Sequence, residues 1–128
     1  MVIPSELEAA RQAENKLLDE VARNGYSEAA TFAIKLAVEE AINNAIKHGN
    51  KFDCRKTIDL RYRVTSRQAV ITVTDEGNGF DYRALPDPTA DENLEKPTGR
   101  GVMLMLAYMD EVVFNKKGNR VRMVKRNT

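Results

Sequence analysis

The chain has 128 residues, a formal net charge of +1, 42% hydrophobic and 30% charged residues, and no tryptophan. That size suits a single domain over residues 1–128 with one core of ordinary size. The near-zero balance excludes bulk attraction to nucleic acid or membrane as the main mode of action, and no apolar run approaches the ~20 residues of a bilayer span.

The first residues, "MVIPSELEAARQ", carry neither a basic leader nor a long apolar segment, so no secretory signal is expected. Cys54 is the single cysteine and cannot form an internal disulfide, which agrees with a reducing, cytoplasmic setting. Ser5 and Glu8 form a Ser-x-x-Glu capping-box signature ahead of Leu7, Ala10, Leu17, Leu18 and Val21. They predict a helix from about Ser5 to Arg23, ended by Asn24 and Gly25. Ser27 caps a second helix, with Phe32, Ile34, Leu36, Val38, Ala41, Ile42, Ala45 and Ile46 as its apolar residues and Gly49 at its close.

"TIDLRYRV" alternates, with Ile58, Leu60, Tyr62 and Val64 on one face of a strand. A short turn over residues 65–67 leads to a second strand, "QAVITVTD", which ends at "DEGNGFD" because two glycines stop the ladder. From Asp81 to Pro97 the pattern dissolves; three prolines and five acids leave no period, and a stretch of that length reads as a lid or linker. "TGRGVMLMLAYMD" opens with glycines and continues as an apolar helix to Asp110. "EVVFNK" and "RVRMVKR" then meet at "KGN", a hairpin signal. The order gives an α+β fold: a two-layer sandwich, mostly antiparallel sheet, with helices on one face.

Three stretches carry chemistry. In "VEEAINNAIKHGN" the spacing of four builds two helical ladders, Glu39–Asn43–Lys47 and Glu40–Asn44–His48. In "TDEGNGFD" a carboxylate, Asp75, sits at a strand end beside Gly77 and Gly79; it could accept from an exocyclic amine while the glycines leave room for a flat ring, although the same residues also make an ordinary turn. In "PTGRGVMLM", Gly99, Arg100 and Gly101 stand at a helix start, where free N–H groups and the helix dipole favour an anion and Arg100 offers a charged fork.

Taken in order, these stretches resemble the nucleotide-binding domain of the GHKL ATPase superfamily, shared by gyrases, heat-shock chaperones, histidine kinases and mismatch-repair ATPases. The resemblance runs from about Ser5 to Arg126. Within the superfamily, "EEAINNAIKHG", "DEGNGFD" and "GRGVMLMLAYMDEV" are most similar to the small anti-sigma-factor serine/threonine kinases.

The resemblance selects the ladder of Glu40 and Asn44 through the family pattern Glu-Ala-x-x-Asn-Ala-x-x-His-Gly. It implies ATP and Mg²⁺ as cofactors, with the Asn44 amide oxygen on the metal and Glu40 as general base toward the attacking hydroxyl. It gives Asp75 the adenine amino group, gives Gly77 and Gly79 the shape of the pocket, and gives Gly99, Arg100 and Gly101 the phosphates beneath the lid. Glu39 and Asn43 are left as a solvated face, Lys47 as either a phosphate contact or a surface lysine, and His48 as a helix-end residue. The lid acids Asp87, Asp91, Glu92 and Glu95 are expected to face away from the triphosphate.

The implied partners are an anti-anti-sigma protein of STAS type, phosphorylated on a serine, and a sigma factor that is sequestered; the resemblance leaves a homodimer open. A nucleotide-gated binding module that transfers no phosphate is the alternative. A histidine-kinase catalytic domain would need a phosphoacceptor helix pair that the length does not supply. Two features depart from the family. Only "MVIP" precedes Ser5, so the usual N-terminal strand is short or missing, and Gly118-Asn119 stands where Gly-Thr is common.

Overall fold

The computed structural model describes residues 1–53, 55–77 and 97–127, with backbone alone for 97–101. Its elements are β1 (Val2–Pro4), α1 (Leu7–Arg23), α2 (Glu28–Asn44) continued by a π-helical turn (Ala45–Gly49), β2 (Thr57–Val64), β3 (Gln68–Asp75), α3 (Pro97–Tyr108), β4 (Glu111–Phe114) and β5 (Arg120–Arg126). The sheet order is β1-β2-β3-β5-β4, and every neighbouring pair is antiparallel. The fold class expected from the pattern is therefore the one observed, α+β with the sheet as one layer.

The alternation in β2 and β3 sets which face is buried. Ile58, Leu60, Ala69, Ile71 and Val73 point to the helices and are at most 2% exposed. Leu17 and Val21 of α1 and Ile34, Ala37 and Val38 of α2 meet them, and each large aliphatic side chain buried there contributes roughly 1.5–3 kcal/mol. Val102 and Met105 of α3 complete the core. Three residues suffice for the N-terminal strand: Val2 pairs with Asp59 and Pro4 with Thr57, while Ile3 drops into the core.

Local chemistry departs from expectation at the start of α1. Ser5 does not cap the helix; Glu6 is the N-cap, in extended conformation and without a side-chain cap bond. The Ser5 amide is spent on the Lys56 carbonyl at 3.1 Å, which draws the residue against the sheet and buries it. Leu7 is consequently turned out and 63% exposed. Ser27 does cap α2, its hydroxyl accepting from the Ala30 N–H at 3.1 Å. Phe32, expected in the apolar stripe of α2, is 56% exposed and rests edge-on against Tyr108 of α3.

The end of α2 matters most for function. The π turn widens the helix by one residue, with the Asn50 N–H reaching the Ala45 carbonyl at 2.7 Å. The chain then leaves through Lys51 and Phe52, both in the left-handed region at φ 51° and 61°, which turns it sharply toward β2.

Candidate functional site

The π turn brings the C-terminal end of α2 against the C-terminal end of β3. Gly49 and Gly77 make this approach feasible. A Cβ on Gly77 would overlap the Gly49 carbonyl, and a Cβ on Gly49 would overlap the Asp75 carboxylate. The room at Gly77 is thus taken up by the protein's own backbone, and Gly77 is itself buried.

Asn50 fixes this junction. It is fully buried; its amide nitrogen donates to the Thr57 carbonyl at 3.0 Å and its amide oxygen accepts from the Glu76 N–H at 2.9 Å. One side chain therefore ties the helix end to the start of β2 and to the turn after β3. Glu76 closes the same corner from the other side, accepting from the Thr57 N–H and hydroxyl. The sequence reading passed over Asn50; its signal was an asparagine directly after a helix-ending glycine, a position where the amide bonds backbone readily.

An open cleft lies beside this junction, lined by Ala41 and Asn44 of α2, Ala45 of the π turn, Val73 and Asp75 of β3, Met105 of α3, Phe114 of β4, and residues 118–121. Asp75 presents its carboxylate with Oδ1 accepting the Gly77 N–H at 2.7 Å. Burial raises its pKa above the ordinary carboxylate value, while that hydrogen bond and the charges of Lys117 and Lys56 pull it down. Asn44 lies across the cleft, and its amide nitrogen is buried without a hydrogen-bond partner among the described residues. Leaving such a group unmatched costs about 1–3 kcal/mol, a cost that a ligand acceptor in the cleft would remove.

The third wall comes from the β4–β5 hairpin. Asn119 exchanges bonds with Asp75: the Asp75 N–H donates to the Asn119 carbonyl at 2.9 Å, and the Asn119 side chain donates to the Asp75 carbonyl at 3.1 Å. Asn115 shapes the turn, its side-chain oxygen accepting from the N–H groups of Gly118, Asn119 and Arg120 at 2.7, 3.1 and 3.3 Å. Asn119 thus places a side-chain amide against the Asp75 backbone. Asn115 also went unnoticed in the sequence.

Glu40 stands one helical turn before Asn44 and is half-buried. Lys47 and His48 are exposed in the π turn. Gly99, Arg100 and Gly101 fall in the first turns of α3, as the glycine punctuation predicted, and the Arg100 side chain lies outside the described residues. Gly79, Cys54 and the acids Asp87, Asp91, Glu92 and Glu95 also lie outside them.

The neighbouring ladder requires a correction. Glu39 does not lie on a solvated face; it meets Glu14 of α1, which is 8% exposed. Burial first, then the hydrogen bond and charge of Glu39, push the Glu14 pKa up to about 7, against the opposing charges of Lys35 and Arg11. Glu14, Glu39, Arg11, Asn15, Lys35 and Asn43 line a polar recess of about 760 Å³ between the two helices.

An antiparallel five-stranded sheet under three helices agrees with the GHKL ATPase-like fold, and Asn44 and Asp75 line one cleft in it. The chain belongs to the histidine kinase-like ATPase domain family, whose sequence pattern matches residues 3–125. Among individual proteins it is similar to serine-protein kinase RsbW of Bacillus subtilis (strain 168), 32% identical over 134 residues covering 98% of this chain and 82% of that protein. It is also similar to serine-protein kinase RsbW of Staphylococcus epidermidis, 33% identical over 99 residues, and of Staphylococcus aureus (strain Newman), 31% identical over 99 residues. In both cases the match covers 71% of this chain and 62% of the relative, so the chain spans less than two thirds of the staphylococcal proteins.

Proposed function

We propose that residues 1–128 act as one ATP-binding domain of a cytoplasmic, Mg²⁺-dependent serine/threonine protein kinase. In this reading it serves as an anti-sigma factor, phosphorylating an anti-anti-sigma partner of STAS type and sequestering a sigma factor. The observation that carries the reading is the convergence of Asn44, Asp75 and Asn119, from three separate segments, on one cleft. The name shared by the relatives, serine-protein kinase, supports the choice of reaction.

Asp75 would accept the adenine amino group, with Asn119 holding its backbone and Gly77 allowing the turn to sit against the helix. The backbone of Gly99 and Gly101, with Arg100, would take the phosphates at the α3 N-terminus. The family resemblance assigns Gly79 to the same proposed pocket. Asn44 suits a magnesium ion, which binds through one or two protein oxygens and otherwise through phosphate oxygens and water. Among the described residues no three His, Cys, Asp or Glu side chains gather to hold an ion by themselves, so the nucleotide would be its main ligand. The ion supplies charge neutralisation at the phosphates.

Glu40 would take the proton from the partner's serine hydroxyl. The serine oxygen then bonds to the γ-phosphorus as the bond to the ADP oxygen breaks. Spacing base and amide by one helical turn fixes the nucleophile relative to the phosphates.

Calorimetric titration of Mg²⁺-ATP tests the site. Native protein is expected to bind, with Asn44→Ala and Asp75→Asn each weaker by about tenfold or more, the loss expected when a charged or metal-linked hydrogen bond goes. Native binding that is unchanged in both variants would remove these residues from the site. Binding without γ-phosphate transfer to a serine-bearing partner would leave a nucleotide-gated binding module.

A further inference from the structure

The sheet has a second face, and it is basic. On the side away from the helices, antiparallel register aligns Arg61, Thr72, Arg122 and Val113 in one row across β2, β3, β5 and β4. The next row reads Arg63, Val70, Val124 and Glu111. Arg120 and Arg126 flank the rows on β5, and Arg67 follows in the β2–β3 turn. All six arginines are exposed, yet Val124 between them is only 4% exposed, so the neighbouring side chains lie across it.

Among the described residues, acids do not balance this face. Asp59 pairs with Arg61 at 3.0 Å and Glu111 with Arg122 at 3.7 Å. Arg63 and Arg67 make no ion pair among the described residues. With Arg122 they surround a shallow depression open to solvent, also lined by Val70, Thr65 and Gln68. Arginines held on a rigid sheet present planar forks to carboxylates, and arginine is enriched at protein interfaces.

We propose that Arg63, Arg67 and Arg122 form a docking site for an acidic segment of a partner protein that is held there without being phosphorylated. Charge complementarity chooses the partner. Among the described residues the strands carry no aromatic side chain on this face on which bases could stack, and its arginines would repel a second copy of the same surface. Placement chooses the role. The depression lies on the face opposite the nucleotide cleft and toward the other end of β3, roughly 15–20 Å along the strand. A segment seated there cannot present a hydroxyl to Glu40. The site therefore stands whether or not the kinase reading holds.

The test uses the full chain and a fluorescent peptide in which glutamates alternate with valine and threonine, with a control carrying glutamine in place of glutamate. The acidic peptide is expected to bind, to weaken as salt is raised, and to lose about tenfold or more affinity in Arg63→Glu/Arg67→Glu/Arg122→Glu. The milder Arg63→Gln/Arg67→Gln/Arg122→Gln should lose part of the affinity and keep the native melting temperature. Mg²⁺-ATP titration should be the same in all three proteins. Equal binding of both peptides, or of native and variant proteins, would overturn the proposal. So would duplex DNA or phosphatidylserine vesicles binding through these arginines while the acidic peptide does not. A native dimer that dissociates in the variants would also overturn it, by making the face a contact between copies.

Discussion

Two ladders run along α2 one residue out of step. Glu39 and Asn43 lean toward α1, where Glu39 shares a hydrogen bond with buried Glu14. The next ladder places Asn44 in the wall of the cleft opposite Asp75, with Glu40 one turn earlier. The residue types are the same and the rotation between them is about 100°, yet Glu39 joins helix to helix while Asn44 of the other ladder lines the cleft. Packing decides the difference: α1 covers one ladder, whereas the gap between α2, β3 and the last hairpin is left beside the other.

The largest expected effect follows from that split. Glu40→Ala should lower phosphoryl transfer about 10²–10⁴-fold, the usual contribution of a general base, with Mg²⁺-ATP affinity nearly unchanged. Glu39→Ala should keep transfer within a few-fold of native. Single-turnover assays of the two variants would break the comparison if they came out alike or reversed.

The seam behind the cleft gives the next effect. Gly77→Ala pushes a methyl group into the Gly49 carbonyl, and backbone cannot swing aside as a side chain can. A loss of about 1–3 kcal/mol is expected, as for other overpacked sites, read as a lower midpoint in urea. A Gly77→Ala protein as stable as native would mean the helix end and the strand end do not touch.

The β-hairpins, α2 and its cap, and α3 were legible because alternation, Ser27 and glycine punctuation act locally. The family pattern singled out Glu40 and Asn44, but their separation from Glu39 and Asn43 depends on what packs across α2, which no local period encodes. The capping box at Ser5 failed for the same reason: a long-range bond to Lys56 took the residue that the local pattern had assigned to the helix. Asn50 and Asn115 read as ordinary polar residues at turns, and only the meeting of distant segments gives them their bonds.

The buried acid sharpens the contrast through pH. The Glu14 pKa is raised from 4.5 to about 7, so between those values the folded chain binds a proton that the unfolded chain has released. Stability from this residue is therefore highest at the acidic end of that window and falls as pH rises toward and past 7. Glu14→Gln keeps a hydrogen-bonding side chain without the ionisable proton. It should flatten the stability–pH profile and be the more stable protein at pH 8, by on the order of 1–3 kcal/mol. Parallel profiles for the two proteins would show that the acid pair is not desolvated.

The smallest effect belongs to the hairpin wall. Asn119→Ala removes the side-chain donor to the Asp75 carbonyl and the exposed acceptor of the Asn115 amide, but leaves the backbone bond from the Asp75 N–H in place. One hydrogen bond of this kind is worth about 0.5–1.5 kcal/mol, so Mg²⁺-ATP binding should weaken only about two- to tenfold. Asn119→Thr tests geometry rather than loss, because a shorter hydroxyl must reach the same carbonyl. If threonine matches asparagine, the wall tolerates either donor. If threonine binds as poorly as alanine, the amide's length sets the position of Asp75. Stability alone would not distinguish the two, since Asn115 also holds this turn through the Asn119 N–H; the affinity for the nucleotide does.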